Sequence, residues 1–398
     1  MISKAELFKK NDRFFIYDPE VMTKRIGYFQ NAFKAFFAEF TLAYSVKTNY
    51  LPCVLSTVIQ GKVIPEIVSE FELDIIDYVK YNGSFILNGP LKTQRAIKHC
   101  IRNGGIINLD SIDDWQMVKK VILNPDCQIQ SRLCIRLNVS EENLSQSRFG
   151  INPYCQDFHE IVADIKRIDQ CKLCGFHLHL PDRDLLSFGR RANVLKVFLD
   201  SFGLDSFDEC IIVNIGGGFR SKMPSSLANL NVEIEDYATV IAETFGPDLC
   251  KKMHLIIEPG TSLVAECFNY YAKIMLMKQY EHYQNIFVNG SILDYSARAQ
   301  SQDFDFSIIR NSDVMKKQLL SNFVGYTCIE DDVLLSNKSI AADVGDFLEI
   351  KGVGSYSMVM RPNFIFPTPP VFVKAGGSSF IQVSNEQTTN DLFVNWKV

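Results

Sequence analysis

FTLAYSVKTNY, residues Phe40 to Tyr50, is an apolar and β-branched run that ends in a lysine and a turn. Thr41 to Val46 reads as a buried strand, and Lys47 stands where that strand stops, before the turn-prone pair Thr48-Asn49. Burial depresses an ammonium pKa, and a neutral amine attacks a carbonyl to form a Schiff base. The plainer alternative is a strand-end lysine that snorkels to solvent.

Outward from this stretch, short apolar runs recur with helix-length connectors between them. They are Ile64 to Ser69, Ser84 to Pro90, Gly105 to Ser111, Ser131 to Val139, Leu173 to Pro181, Cys210 to Gly218 and His254 to Gly260. Asp113 to Leu123 and Arg191 to Phe202 show helical spacing of apolar positions. With the Lys47 strand this makes eight runs, and the alternation predicts an α/β fold, a parallel (β/α)8 TIM barrel. A doubly wound open sheet is the other possibility. A barrel gathers its chemistry at strand C-terminal ends, which is where Lys47, Asn88, Asp110, Asn138, His179, Gly216 to Gly218 and Glu258 fall.

Past Ala265 strand-like segments follow one another without regular helical connectors. Tyr270 to Met277, Asn285 to Val288, Asp346 to Ile350, Ser357 to Met360 and Pro370 to Lys374 are the clearest. We expect a barrel over residues 25–265 and a β-rich domain of Greek-key type over 1–24 and 266–398, with a first strand near Phe14.

The 398 residues exceed what one hydrophobic core usually serves. A formal net charge of -5 leaves no electrostatic footprint for nucleic acid or an anionic membrane. No apolar run approaches a membrane span, and the first residues lack an apolar signal core, so a cytoplasmic protein is expected. Eleven scattered cysteines, several within apolar runs, point to reduced core residues. Cys171 and Cys174 have CxxC spacing, but no second pair completes a zinc site, and no metal is expected.

Ile215-Gly216-Gly217-Gly218 follows the seventh apolar run. Glycines after a strand let backbone N–H groups converge on an anion, and a following helix start would add its dipole. Beside a Schiff-base lysine this suggests a cofactor with both an aldehyde and a phosphate, pyridoxal 5'-phosphate. Glu258-Pro259-Gly260 closes the eighth run; a carboxylate facing the cofactor's ring nitrogen keeps it protonated and the ring a strong electron sink. His177 and His179 alternate with Phe176 and Leu178, so both point to one side of their strand. One imidazole would stack on the ring, while a core position suits His177 better. Arg136 faces the site or forms a structural ion pair.

The motifs together resemble the fold-type III pyridoxal-phosphate decarboxylases of amino acids, the diaminopimelate/ornithine/arginine decarboxylase family with its alanine-racemase-like barrel. AYSVKTN resembles the family's Y-A-V-K-A-N, which makes Lys47 the Schiff-base lysine. Ser147 to Ile151 (SRFGI) resembles S-K-F-G-I, and GFHLHL resembles G-[LI]-H-x-H-[IV], which makes His179 the stacking residue. NIGGGF resembles the D-I-G-G-G-F phosphate loop. EPG resembles E-P-G-R, which makes Glu258 the partner of the ring nitrogen and places Pro259, Gly260 and Thr261 at the cofactor. Gly325 to Cys328 with Asp332 resembles G-P-x-C-[ED]-x-x-D-V, which makes Cys328 the proton donor after loss of carbon dioxide. Gly352 to Tyr356 resembles G-A-G-A-Y, which makes Tyr356 a phosphate and pocket contact. In this family the cysteine comes from the partner subunit, so the resemblance implies a head-to-tail homodimer with shared sites. Arg136, Glu330, Asp332 and Tyr356 are the implied substrate contacts.

Three positions depart from the pattern: Thr261 replaces an arginine, Pro181-Asp182 replaces Gly-Ser, and Ile329 replaces an acid that meets a substrate amino group, with Glu330 next to it. The expected reaction is decarboxylation of an amino acid, of meso-diaminopimelate to L-lysine or of a modified amino acid or diamine precursor. A racemase on the same barrel and an inactive cofactor-binding homologue are the alternatives; the carboxylate at Glu258 disfavours the first.

Overall fold

The computed structural model describes residues 1–124, 129–139, 147–204, 207, 210–295, 304–311 and 318–396. The chain divides into two compact units, one of Thr23–Arg220 with Asn231–Leu263, the other of Met1–Met22, Ser221–Leu230 and Val264–Val398.

The first unit is a closed parallel barrel of eight strands. They are β1 (Glu39–Ser45), β2 (Ile64–Ile67), β3 (Ile86–Leu87), β4 (Ile106–Leu109), β5 (Ser131–Arg136), β6 (Cys171–His177), β7 (Ile211–Asn214) and β8 (Met253–Ile257). Pairing of His254 with Glu39 and Ile257 with Leu42 closes β8 onto β1. The parallel (β/α)8 reading therefore holds over the open sheet. Helix starts follow side-chain caps legible in the sequence: Ser69, Thr93, Ser111 and Asp184 each accept a backbone N–H from the first turn they precede. The helix expected over Arg191 to Phe202 begins earlier, as Leu185–Phe202, because Asp184 is its cap. No α-helix follows the glycine triplet directly; the next one in the unit is Ile234–Phe245, so no helix dipole serves that loop.

The barrel interior is filled, as small barrels require. Ala43, Ile86, Ile106, Cys134, Cys174, Ile212 and Ile256 form one apolar cluster, with Ile64 packed against it. Cys171 and Cys174 lie within β6, and none of the described cysteines forms a disulfide.

The second unit is built on a ten-stranded sheet among the described residues. Arg13–Tyr17 pairs antiparallel with the long strand Phe268–Gln279, which also pairs with Gln284–Val288 and Phe347–Lys351. Leu7, Phe14, Ile16, Tyr271, Phe347, Phe372 and Phe380 form its buried cluster. Ser357 to Met360, expected as a strand, is a turn: Gly352 and Tyr356 take positive φ, and the Met360 N–H donates to the Ser357 carbonyl at 3.1 Å. Leu319–Val324 and Val333–Ile340 form an antiparallel hairpin that sequence patterning did not mark: the inward Ser321 is polar while the outward Leu320 is apolar, so the alternation is broken. Among the described residues no helix is long and apolar enough to cross a membrane.

Candidate active site

Side chains two residues apart on a strand face the same way. Two positions beyond the apolar cluster, the barrel carries a second inward layer that is wholly polar. Ser45, Glu66, Asn88, Asn108, Arg136, Asn214 and Glu258 stand there, joined by His177 at the end of β6, and all are buried. Buried polar groups must bond one another, and these do. Asn88 Nδ2 donates to Glu66 Oε1 at 2.9 Å and to Glu258 Oε1 at 3.0 Å. Asn108 Nδ2 donates to Asn88 Oδ1 at 2.5 Å, which orients that amide. Asn214 Nδ2 donates to Glu258 Oε1 at 2.6 Å and its Oδ1 accepts the Gly216 N–H at 2.9 Å.

Lys47 lies in the 3-10 turn Val46–Thr48 that ends β1. Its Nζ donates to Glu66 Oε2 at 2.9 Å. The lysine side chain is 43% exposed and that of Glu66 1%, so the amine is reachable at the mouth of the barrel while its partner is held inside. The strand ends at Ser45, one residue earlier than the sequence pattern suggests, and the turn carries the strand-end lysine to the rim.

The glycine loop meets this layer from β7. Gly216 takes φ +70°, and a Cβ there would meet the His179 ring at 2.8 Å. A Cβ on Gly217 would lie 2.6 Å from the Glu258 carbonyl oxygen, so only glycine fits. The N–H groups of Gly217 and Gly218 have no acceptor among the described residues. Gly260 abuts Thr48, and Ser45 Oγ donates to the Glu258 carbonyl at 3.1 Å, which locks the Glu258-Pro259-Gly260 turn to the Lys47 turn. Thr261 opens the short helix Thr261–Val264 and brings no charge.

The two glutamates are driven apart electrostatically. Burial and then the Glu66 carboxylate push Glu258 up to about 7, against the hydrogen bond from Asn214. Burial acts upward on Glu66 also, but the Lys47 ammonium and hydrogen bonds from Ser45, Lys47 and Asn88 outweigh it and hold Glu66 below the usual carboxyl value. Burial, reinforced by nearby arginines, keeps both His177 and His179 well below the usual imidazole value. His177 Nε2, 3.7 Å from Glu258 Oε2, is therefore a neutral neighbour of that carboxyl rather than half of an ion pair.

Arg136 Nη1 bonds Asp110 Oδ1 at 3.3 Å, and its guanidinium lies over the Phe149 ring at 4.6 Å; this is the ion-pair alternative of the sequence reading. Asn138 Nδ2 bonds the Ser147 and Phe149 carbonyls, tying that segment to the end of β5. Glu66, Asn108, Asn214 and Arg191 escaped the sequence reading. The first three were findable as polar residues two steps beyond apolar inward positions; Arg191, inside a helical pattern, left no such signal.

Cys328, Glu330, Asp332 and Tyr356 fall in the second unit. Cys328 and Glu330 are exposed on the connection between Leu319–Val324 and Val333–Ile340. Asp332 is buried, and its carboxylate accepts from Ser291 Oγ, the Ile292 N–H, the Thr327 N–H and Thr327 Oγ1 at 2.6–3.2 Å. These bonds tie Asp332 to the loop that carries Cys328. That loop borders a cleft of about 690 Å³ also lined by Tyr283, Phe287 and Leu320. Tyr356 holds φ +58°, rare for a residue with a Cβ and a mark of a constrained position.

A barrel with an amine at its mouth, a buried carboxyl at the end of the neighbouring strand and a glycine loop whose N–H groups have no acceptor among the described residues defines a pyridoxal-phosphate site of decarboxylase type. The model of the family described as "Pyridoxal-dependent decarboxylase, pyridoxal binding domain" matches residues 23–265, and the chain belongs to that family. It is 22% identical over 380 residues to diaminopimelate decarboxylase of Pseudomonas fluorescens, covering 88% of this chain and 85% of that one. Over 231 residues it is 24% identical to ornithine decarboxylase of Candida albicans, covering 56% of this chain and 47% of that one. Among solved structures, diaminopimelate decarboxylase of M. jannaschii superposes with a TM-score of 0.85 at 20% identity, covering 99% of this chain and 93% of that one. The protein is a pyridoxal-phosphate-dependent amino-acid decarboxylase. The residues suit that cofactor: the unbonded N–H groups of Gly217 and Gly218, and the unpartnered Nδ1 of His179 beside them, leave polar capacity that no described residue uses.

Proposed function

We propose that the chain decarboxylates a diamino acid of the meso-diaminopimelate type, or a modified amino acid or diamine precursor close to it. The observation that carries this reading is the buried Glu258, held by Asn88 and Asn214 and linked through Asn88 to the carboxylate that pairs with Lys47. When bound, pyridoxal phosphate supplies an electron sink for the charge left as a carboxylate departs as carbon dioxide. Lys47 supplies the amine that anchors the cofactor's aldehyde carbon, and Glu66 holds that amine in place. Glu258 keeps a proton at the ring nitrogen; a carboxyl raised to about 7 is matched to sharing it. His179, kept neutral, packs against the ring without adding a competing positive charge. Gly216, Gly217 and Gly218, with Pro259, Gly260, Thr261 and Tyr356, take the phosphate end.

Cys328 Sγ delivers the proton to the carbon that lost carbon dioxide, reaching the site from a second subunit of a head-to-tail homodimer. Arg136, Glu330 and Tyr356 meet the substrate, and Asp332 acts through the loop it ties. Diaminopimelate decarboxylases among the relatives favour meso-diaminopimelate. The uncharged, exposed Ile329 favours a substrate without an amino group at that point. Incubation of the holoenzyme with meso-diaminopimelate, ornithine, lysine, arginine, carboxynorspermidine and carboxylated siderophore precursors, read by mass spectrometry, separates the two. Loss of carbon dioxide from meso-diaminopimelate supports the first substrate class, and loss only from another member replaces it. A chain that binds cofactor yet leaves every member intact overturns the reading.

A further inference from the structure

Arg191, on the helix Leu185–Phe202, is 0% exposed and makes no ion pair among the described residues. A guanidinium is costly to bury without a carboxylate beside it. Instead its four terminal donations go to backbone carbonyls: Nη1 to Ile215 at 3.0 Å and Gly217 at 2.9 Å, Nη2 to Leu180 at 3.1 Å and Asp182 at 2.9 Å. These carbonyls belong to the glycine loop and to the segment just after His179. One planar fork thus fixes both loops against each other, which a lysine's single ammonium does not reproduce.

In a trans peptide the N–H points opposite to the preceding C=O, and no peptide bond here is cis. With the Gly217 carbonyl drawn onto Arg191, the Gly218 N–H is turned away from the guanidinium, and it has no acceptor among the described residues. We infer that Arg191 is the positioning residue for the cofactor's phosphate: through the Gly217 carbonyl it aims the Gly218 N–H at that anion, and it supplies the positive charge that Thr261 does not bring. The inference rests on the reading that the glycine loop takes the phosphate. Two further features agree with it. After burial, which lowers the Arg191 pKa, the Asp182 carboxylate is the leading influence on it and favours its charged form, so the charge that would repel a phosphate is partly answered by the guanidinium; after burial, Arg191 is in turn the leading influence that keeps His179 neutral.

The test is equilibrium binding of pyridoxal 5'-phosphate and of pyridoxal, which lacks the phosphate, to the cofactor-free full chain and to Arg191→Met and Arg191→Lys. Melting curves without ligand establish that each variant is folded. Loss of charge-assisted contacts predicts that Arg191→Met binds the phosphorylated form about ten- to a hundredfold more weakly while pyridoxal is held as before. Arg191→Lys, which keeps the charge but not the fork, loses less, and it carries the test if the methionine variant does not fold. Equal losses for both ligands make Arg191 a purely structural pin, and an unchanged preference for the phosphorylated form makes it inert; either overturns the inference while the parent reading stands. A native chain with no preference for the phosphorylated form overturns the parent reading itself, and the inference with it.

Discussion

Asn88 and Glu258 are joined by the Asn88 amide, which donates at 3.0 and 3.1 Å to the two carboxyl oxygens of Glu258 while also reaching Glu66 at 2.9 Å. One side chain therefore links the carboxylate that holds Lys47 with the carboxyl assigned to the ring nitrogen. Asn88→Asp places a third acid between them, and like charges at this range force protonation of one partner. We expect a rise of the Glu258 pKa and a fall in turnover of about tenfold or more, seen as a displaced limb of the pH–rate profile. An unshifted profile refutes the link.

Lys47→Ala removes the amine and should abolish turnover. Borohydride reduction of the native holoenzyme should fix the cofactor to the peptide containing Lys47, and the variant should yield no labelled peptide. Full activity in the variant would sink the assignment.

Glu258→Gln should lower turnover by about 10²–10³, the usual loss when a pre-oriented electrostatic partner is removed. It should also change stability against pH. The folded, cofactor-free chain holds the Glu258 proton up to about 7, whereas an ordinary unfolded carboxyl releases it near 4.5. Through that window the folded state binds more protons, so stability falls as pH rises. The glutamine variant should lose the Glu258 share of this slope, on the order of 3 kcal/mol between the two ends, in urea unfolding at several pH values. Glu72, also raised to about 7 by burial, keeps some slope in place.

Asp332→Ala frees four donors that now share one buried carboxylate. The unmet donors should cost about 1–3 kcal/mol, measured as a lower melting temperature, and the loosened loop should speed thiol labelling of Cys328. Unchanged labelling would show that the loop keeps its shape without Asp332.

Shared sites make a distinct prediction. Mixing Lys47→Ala with Cys328→Ala chains should restore about a quarter of native activity, since random pairing of a two-fold dimer leaves one intact site in half the dimers. No recovery after verified exchange would place Cys328 and Lys47 on one chain or remove the dimer.

The barrel was legible in the sequence because its strands are local apolar runs and several helix starts, at Ser69, Thr93, Ser111 and Asp184, are local caps. Lys47, Glu258 and the glycine triplet were legible for a related reason: each is an odd residue at a strand end. The loop segments of the second unit were less so. Ser357 to Met360 has strand composition, but the positive φ of Gly352 and Tyr356 just before it turns the chain aside.

By itself the sequence determined which residues sit at the barrel mouth, since strand length and a period of two decide that locally. Only the tertiary structure decided how they bond. Glu66, Asn88, Asn214 and Glu258 come from four strands scattered through the barrel sequence; pairing of β8 with β7 brings Asn214 to Glu258, and closure of β8 onto β1 brings Ser45 to it. Burial in that closed ring then splits the two glutamates, because the same low-dielectric interior acts on both and just one has a lysine. Arg191 is the extreme case: in sequence it is a charged residue within a helix, and only folding places it beneath two loops whose carbonyls it gathers.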